Sequence, residues 1–180
     1  LDYARDNLRD GAEVDWREAD AMRLPFADGE FGAVVCGFGL MFVPDKLAAL
    51  REVRRVLKDG GRFLFSVWDR IEVIPHAMAG AEVIEAMFPG DAEMRFRVPY
   101  ELHDQQQLLR LLADAGFRDA RSERRQHWID GISARDLATG QVRGTPRSAL
   151  IEKRGVPLEV AIDRITTRLT QIGGDPYRGE

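Results

Sequence analysis

The sequence predicts an α/β fold built on a mostly parallel sheet layered with helices, and three observations predict it. The stretch from Trp16 to Trp68 changes period in the order strand, strand, helix, strand. Within it, Ala33 to Phe38 is apolar at almost every position, the pattern of a parallel strand covered on both faces. A Gly60-Gly61 turn then separates a one-sided helix from the following strand.

The elements follow in order. Leu1, Ala4 and Leu8 share one helical face before Gly11 stops the pattern. A chain that opens inside a helix, with no cap residue and no Met, predicts a piece of a longer protein. From Glu13, Val14 and Trp16 alternate with Asp15 and Arg17, predicting a strand that ends at Asp20. Leu24, Pro25 and Phe26 lead into the turn cluster Ala27-Asp28-Gly29. After the apolar strand, interrupted by Gly37 and Gly39, Pro44 and Asp45 start a helix. Its buried stripe is Leu47, Leu50, Val53, Val56 and Leu57, with Arg51, Glu52, Arg54 and Arg55 facing outward. Phe63, Phe65 and Val67 mark the next strand.

Beyond Asp69 helices dominate. Ala77 to Phe88 reads as a helix closed by Pro89 and Gly90, with Met78 and Met87 suited to filling a core or covering a pocket. Asp104 is a candidate N-cap, with Gln107 three places on, for a helix whose apolar face is Leu108, Leu109, Leu111 and Leu112 and whose C-cap is Gly116. Phe117 to Ile129 reads as an exposed strand carrying Arg118, Arg121, Arg124 and Arg125. Ser133 with Asp136 opens a short helix, and Leu158, Ile162, Ile165, Leu169 and Ile172 describe the last one, followed by a Gly-Gly-Asp-Pro loop without a further strand. The expected division is a core over residues 1–69 and a helical cover for substrate over 70–180, both in one domain.

Composition narrows the function. A chain of 180 residues with 44% apolar and 31% charged residues can bury a substantial core. The formal net charge of −4 argues against general attraction to nucleic acid or anionic lipid. The single cysteine, Cys36, excludes an internal disulfide and fits a reducing, cytoplasmic setting. No apolar run approaches the roughly 20 residues needed to cross a bilayer. Metal-ligand spacing, a nucleophile elbow and a phosphate loop are all missing from the sequence.

In open α/β sheets ligands bind beyond the carboxyl ends of the strands, so Asp20 and the Cys36-Gly37-Phe38 group are expected to border one cleft. An adenine edge offers an amino donor beside a ring acceptor. Asp20 can receive the first, and a backbone N–H of Ala21 or Met22 can serve the second. The same acidic residue can equally act as a simple turn cap.

Three runs carry a family resemblance: A-D-A-M-R-L-P-F (Ala19 to Phe26), F-G-A-V-V-C-G-F-G (Phe31 to Gly39) and L-R-E-V-R-R-V-L-K-D-G-G-R-F (Leu50 to Phe63). Together they resemble the middle of a class I S-adenosylmethionine-dependent methyltransferase of the quinone-biosynthesis type. The likeness continues more weakly through R-V-P-Y (Arg97 to Tyr100) and L-A-D-A-G-F (Leu112 to Phe117). It implies a Rossmann-like, doubly wound sheet, here truncated at both ends, with Asp20 on the adenine amino group and Ala21 on the ring nitrogen through its backbone. Cys36, Gly37 and Phe38 would line the methionine and methyl end. Gly32, Gly37 and Asp59 depart from the family pattern. The family's glycine-rich loop and ribose-binding acid would precede Leu1, so this chain alone is expected to be inactive and to associate through unpaired strand edges.

The implied reaction is direct methyl transfer to a small, partly apolar organic molecule, driven by positioning and exclusion of water. No residue is singled out as catalytic. His76, His103 and His127 are the histidines from which a base could come, and Tyr100 could bond a substrate or pack in the core. Two rival readings remain. A nicotinamide-dependent oxidoreductase should show G-x-G-x-x-G, which this sequence lacks. A non-catalytic binding module touching RNA through Arg118, Arg121, Arg124 and Arg125 lacks an aromatic stacking platform. Neither the acceptor atom nor the oligomeric state leaves a readable mark.

Overall fold

The computed structural model describes residues 2–7 and 13–179. Its regular elements are α1 (Asp2–Asp6), β1 (Phe31–Gly37), α2 (Lys46–Val56), β2 (Leu57–Ser66), α3 (Pro75–Met87), α4 (Gln105–Asp114), β3 (Ile129–Ile132), α5 (Ala134–Arg143), α6 (Arg147–Lys153), α7 (Leu158–Gly173) and β4 (Tyr177–Gly179). They form two compact units, Leu1–Ser66 with Leu109–Ala120, and Val67–Leu108 with Arg121–Glu180. Of the expected opening helix, Leu1, Leu8 and Gly11 lie outside the described residues.

In the first unit β1 and β2 pair in parallel, from Ala33 opposite Arg62 to Gly37 opposite Ser66. The class and the parallel pairing agree with expectation, on a sheet of two strands. The intervening α2 starts where Asp45 accepts the Ala48 N–H at 2.9 Å. Its stripe buries Ala49, Leu50 and Val56, packed with Leu40 and Met41 of the single 3-10 turn that follows β1. Each such large apolar side chain contributes roughly 1.5–3 kcal/mol by leaving water. Leu112 and Ala115 are buried too, and just beyond α4 the Phe117 ring lies 5.7 Å from that of Phe63, which stacks on Phe65.

Three expectations for this unit need correction. The strand over Glu13 to Asp20 does not form: the segment runs without regular pairing, with Val14 44% exposed, until an isolated bridge joins Asp20 to Arg23. Alternation makes a strand only where a neighbour offers a ladder, and the described strands of this unit, β1 and β2, pair with each other. Nor is β1 covered on both faces within its unit, since Val35 is 74% exposed and Leu64 of β2 55%. β2 also begins earlier than the glycine pair suggested. The helix stops at Val56, the strand starts at Leu57, and Gly60, at φ +76°, bends inside it.

The second unit is mainly helical. α7 packs on α5 and α3, and its Ala161, Ile162, Ile165 and Leu169 meet Ala79, Ile84, Ala134, Ala138, Val142 and Tyr177 in one core. α5 opens as expected, Ser133 Oγ accepting the Asp136 N–H and donating to the Asp136 carboxylate. α4 opens with the Asp104 carboxylate accepting the N–H groups of Gln106 and Gln107, and Gly116 closes it at φ +89°. The strand expected over Phe117 to Ile129 is absent: residues 121–128 are exposed and unpaired by any ladder, Asp119 turns the chain at φ 57°, and the strand found is Ile129–Ile132. It pairs antiparallel with β4, a strand that the closing loop was not expected to contain and that buried Tyr177 anchors. Among the described residues, no helix is long and apolar enough to cross a membrane.

Candidate functional site

The cofactor candidates occupy two loops of the first unit. Asp20, Ala21 and Met22 make one tight turn: the Met22 N–H donates to Asp20 Oδ1 at 2.8 Å, and the Arg23 N–H to the Asp20 carbonyl at 2.9 Å. The Asp20 side chain is exposed and keeps its second carboxylate oxygen for an outside donor. Met22, one of the two candidates for a ring acceptor, has its N–H engaged with Asp20, which leaves that of Ala21. An exposed carboxylate oxygen beside a backbone donor matches the adenine edge, so this turn fits the group implied for it.

Cys36, Gly37 and Phe38 lie at the carboxyl end of β1. Cys36 stands opposite Phe65 and Gly37 opposite Ser66, and the Phe38 N–H continues the pairing by donating to the Ser66 carbonyl at 3.1 Å. Phe38 has φ 52°, a left-handed conformation unusual for an aromatic residue, and its ring is 42% exposed. A Cβ added to Gly37 would meet nothing within 4 Å, whereas one on Gly39 would come within 3.0 Å of Cys36 Sγ. Gly37 therefore leaves open space above the strand end where a ligand can approach the backbone.

Two residues of α2 hold the first loop in place. Glu52 and Arg55 of α2, expected to face solvent, instead clamp the chain between Leu24 and Asp28. The Leu24 N–H donates to Glu52 Oε2 at 2.8 Å. All five Arg55 N–H groups are engaged: Nε and Nη2 with Glu52, Nη2 also with the Leu24 carbonyl, and Nη1 with the Phe26 carbonyl and the Asp28 carboxylate, at 2.8–3.0 Å. The Arg55 hydrogen bonds hold the Glu52 carboxyl down at about 2, against the opposing effect of burial and with help from the Leu24 N–H. Glu52 and Asp28 raise Arg55 in turn. The opposite charges three places apart in E-V-R-R were the available signal.

The histidines lie in the second unit. His103 lines an open cleft of about 450 Å³ with Arg70, Asp104, Gln105, Gln106 and Arg124. Its Nδ1 is 2.7 Å from the Tyr100 carbonyl, so Nδ1 carries the proton and Nε2 is the acceptor of the neutral ring. His76 stands in α3, its ring 6.3 Å from that of Tyr177, and His127 is exposed in the irregular segment. Of the four arginines expected on an edge strand, none lies on a strand; Arg124 pairs with Asp69 at 2.9 Å and Arg125 with Glu123 at 3.0 Å.

Comparison with known proteins follows the same residues. Residues 1–65 match the model of the methyltransferase domain family. The Caulobacter vibrioides ubiquinone/menaquinone biosynthesis C-methyltransferase is 49% identical over 67 residues, which are 37% of this chain and 27% of that enzyme. The demethylmenaquinone methyltransferase of Staphylococcus saprophyticus is 48% identical over 61 residues, 34% of this chain and 26% of its own length. The Klebsiella pneumoniae ubiquinone/menaquinone biosynthesis C-methyltransferase is 33% identical over 132 residues, 66% of this chain and 53% of that enzyme. The chain thus spans from about a quarter to about half the length of these relatives. The matched segment contains both candidate loops and the Glu52-Arg55 clamp.

Proposed function

We propose that this chain is part of an S-adenosylmethionine-dependent methyltransferase that modifies a small organic molecule in the cytoplasm. The observation that carries the reading is the Asp20-Ala21-Met22 turn, whose second carboxylate oxygen and Ala21 N–H have no partner among the described residues, inside the segment that matches the family. Asp20 and Ala21 bind the adenine edge, the first by accepting and the second by donating a hydrogen bond. Gly37 and Phe38, with Cys36 beneath them, border the methionine end, where the missing Gly37 side chain lets the cofactor lie against backbone. The bound cofactor supplies an electrophilic methyl group. The protein then contributes orientation and exclusion of water, to which the ordered loop Leu24–Asp28 adds a fixed wall. The cytoplasmic setting is supported by the single cysteine. A carbon acceptor on a quinone-type ring is supported by the names of the relatives, and demethylmenaquinone, named for the Staphylococcus enzyme, is the first acceptor to try.

Calorimetric titration of S-adenosylhomocysteine tests this, first with the 180-residue chain and then with the same chain preceded by the amino-terminal region of the Klebsiella enzyme. Binding by either protein that weakens on Asp20→Ala supports the proposal. Folded proteins that both stay silent would overturn it.

A further inference from the structure

We propose that Arg97 and Arg147, in the second unit, form a recognition site for the carboxylate of a small organic acid. Arg147, the first residue of α6, is only 6% exposed. Its guanidinium lies 5.6 Å over the Phe96 ring, and Nη2 donates to the Phe96 carbonyl at 3.3 Å. Its Nε is buried and bonded to nothing. Arg97 repeats the pattern: Nη2 donates to Glu85 Oε1 at 2.5 Å, while Nη1 is buried without a partner. Each guanidinium thus has one buried nitrogen left without an acceptor.

Charge shows the same deficit. Arg97, Tyr100 and Glu85 are the charged or titratable groups that act on Arg147, and burial is the largest influence on it. Burial also pushes the Tyr100 phenol up, despite the pull of both arginines, so Tyr100 stays neutral and balances no charge. Two cations therefore share one carboxylate, Glu85. The acids on the adjoining 3-10 turn are committed elsewhere, Asp91 and Glu93 both being held by Arg154. A cation taken out of water without a partner is strongly disfavoured, and so is a buried N–H without an acceptor. A bound carboxylate supplies both the missing negative charge and an acceptor for these N–H groups.

The surroundings select the kind of anion. Arg97 keeps 29% of its side chain exposed and offers the way in, while Phe96 and Tyr100, both half-buried, supply aromatic walls for an organic body. A flat carboxylate on an apolar frame suits this site better than inorganic phosphate, which has no apolar part to place against the rings. This inference goes beyond the proposed methyl transfer, because every residue in it belongs to the second unit and no cofactor takes part.

The test is titration of the 180-residue chain with sodium benzoate, with sodium acetate and inorganic phosphate in parallel arms and no cofactor present. The expected result is saturable binding, tightest for benzoate, that falls at least about tenfold in Arg147→Met and in Arg97→Met. Glu85→Gln, which removes the one competing carboxylate, should tighten benzoate binding several-fold, and this variant leaves both arginines in place. Arg147→Met should also keep or raise the ligand-free melting temperature, because it removes an uncompensated buried cation, and should abolish the rise caused by benzoate. Absence of benzoate binding by the folded wild type, binding that the arginine variants leave unchanged, weaker binding in Glu85→Gln, or a preference for phosphate would each overturn the proposal. Failure of methyl transfer would leave these results untouched.

Discussion

Glu52→Gln probes the clamp that orders the loop after Asp20. At pH 7 the wild-type carboxylate accepts from Arg55 and from the Leu24 N–H; the amide keeps one acceptor oxygen and loses the charge. The Glu52 carboxyl is lowered from 4.5 to about 2, so its contribution to stability is present in full above 4.5 and is lost as pH falls through 2. Taken whole, that displacement corresponds to about 3 kcal/mol. Solvent reaches 20% of the Glu52 side chain and 31% of Arg55, and screening reduces the figure to roughly 1–2 kcal/mol. Urea denaturation of wild type and variant, repeated from pH 7 to pH 2, should show a gap of this size that closes between pH 4.5 and 2. Amide exchange at Leu24 should quicken in the variant, because its N–H is the one that Glu52 holds. A gap that persists at pH 2, or Leu24 exchange unchanged from wild type, would show that the pair is an ordinary surface contact.

Other perturbations separate loop, ligand and core. Arg55→Lys keeps the charge but cannot reach Glu52, Asp28 and two carbonyls together, and should cost about 1–3 kcal/mol in denaturant titration. A Cβ added at Gly37 meets no atom within 4 Å, so the melting temperature of Gly37→Ala should match wild type while affinity for S-adenosylhomocysteine drops in whichever protein binds it by calorimetry. Leu50→Ala, at a site 1% exposed, should lose about 2–5 kcal/mol of stability by chemical denaturation. Gly173→Ala would set a Cβ 2.4 Å from the buried Tyr177 ring and should lower stability by about 1–3 kcal/mol, with Tyr177 fluorescence reporting the displaced ring.

Most helices were legible because they announce themselves locally, α6 (Arg147–Lys153) being the exception. Asp45, Asp104 and the Ser133-Asp136 pair cap the helices that sequence assigns them, and the stripe of α7 falls where its period puts it from Leu158 to Leu169, whereas Ile172, expected in the stripe, is 39% exposed. The strands were less legible because a strand is a relation between two segments. Val14 and Trp16 alternate correctly and still lack a ladder, while Tyr177, in a polar tail without alternation, finds one in β3. The same contrast runs through the candidate site. Asp20 could be named from its motif, whereas Glu52 and Arg55 contact a loop 27–31 positions earlier in the chain, a distance at which spacing carries no information. Arg147 was missed for a related reason, since an arginine at the start of a short helix gives no sign that it will be buried.

The five-donor contact of Arg55 bears on how this loop can be moved between proteins. Residues 20–28 contain the turn proposed to meet adenine, but much of their shape is dictated from a helix that begins at Lys46. Transplanting the loop alone would carry the recognition letters without their grammar. A graft into another α/β scaffold should keep its conformation only when a glutamate and an arginine three positions apart travel with it on the helix behind. The natural unit of inheritance here is therefore a loop together with one helical turn.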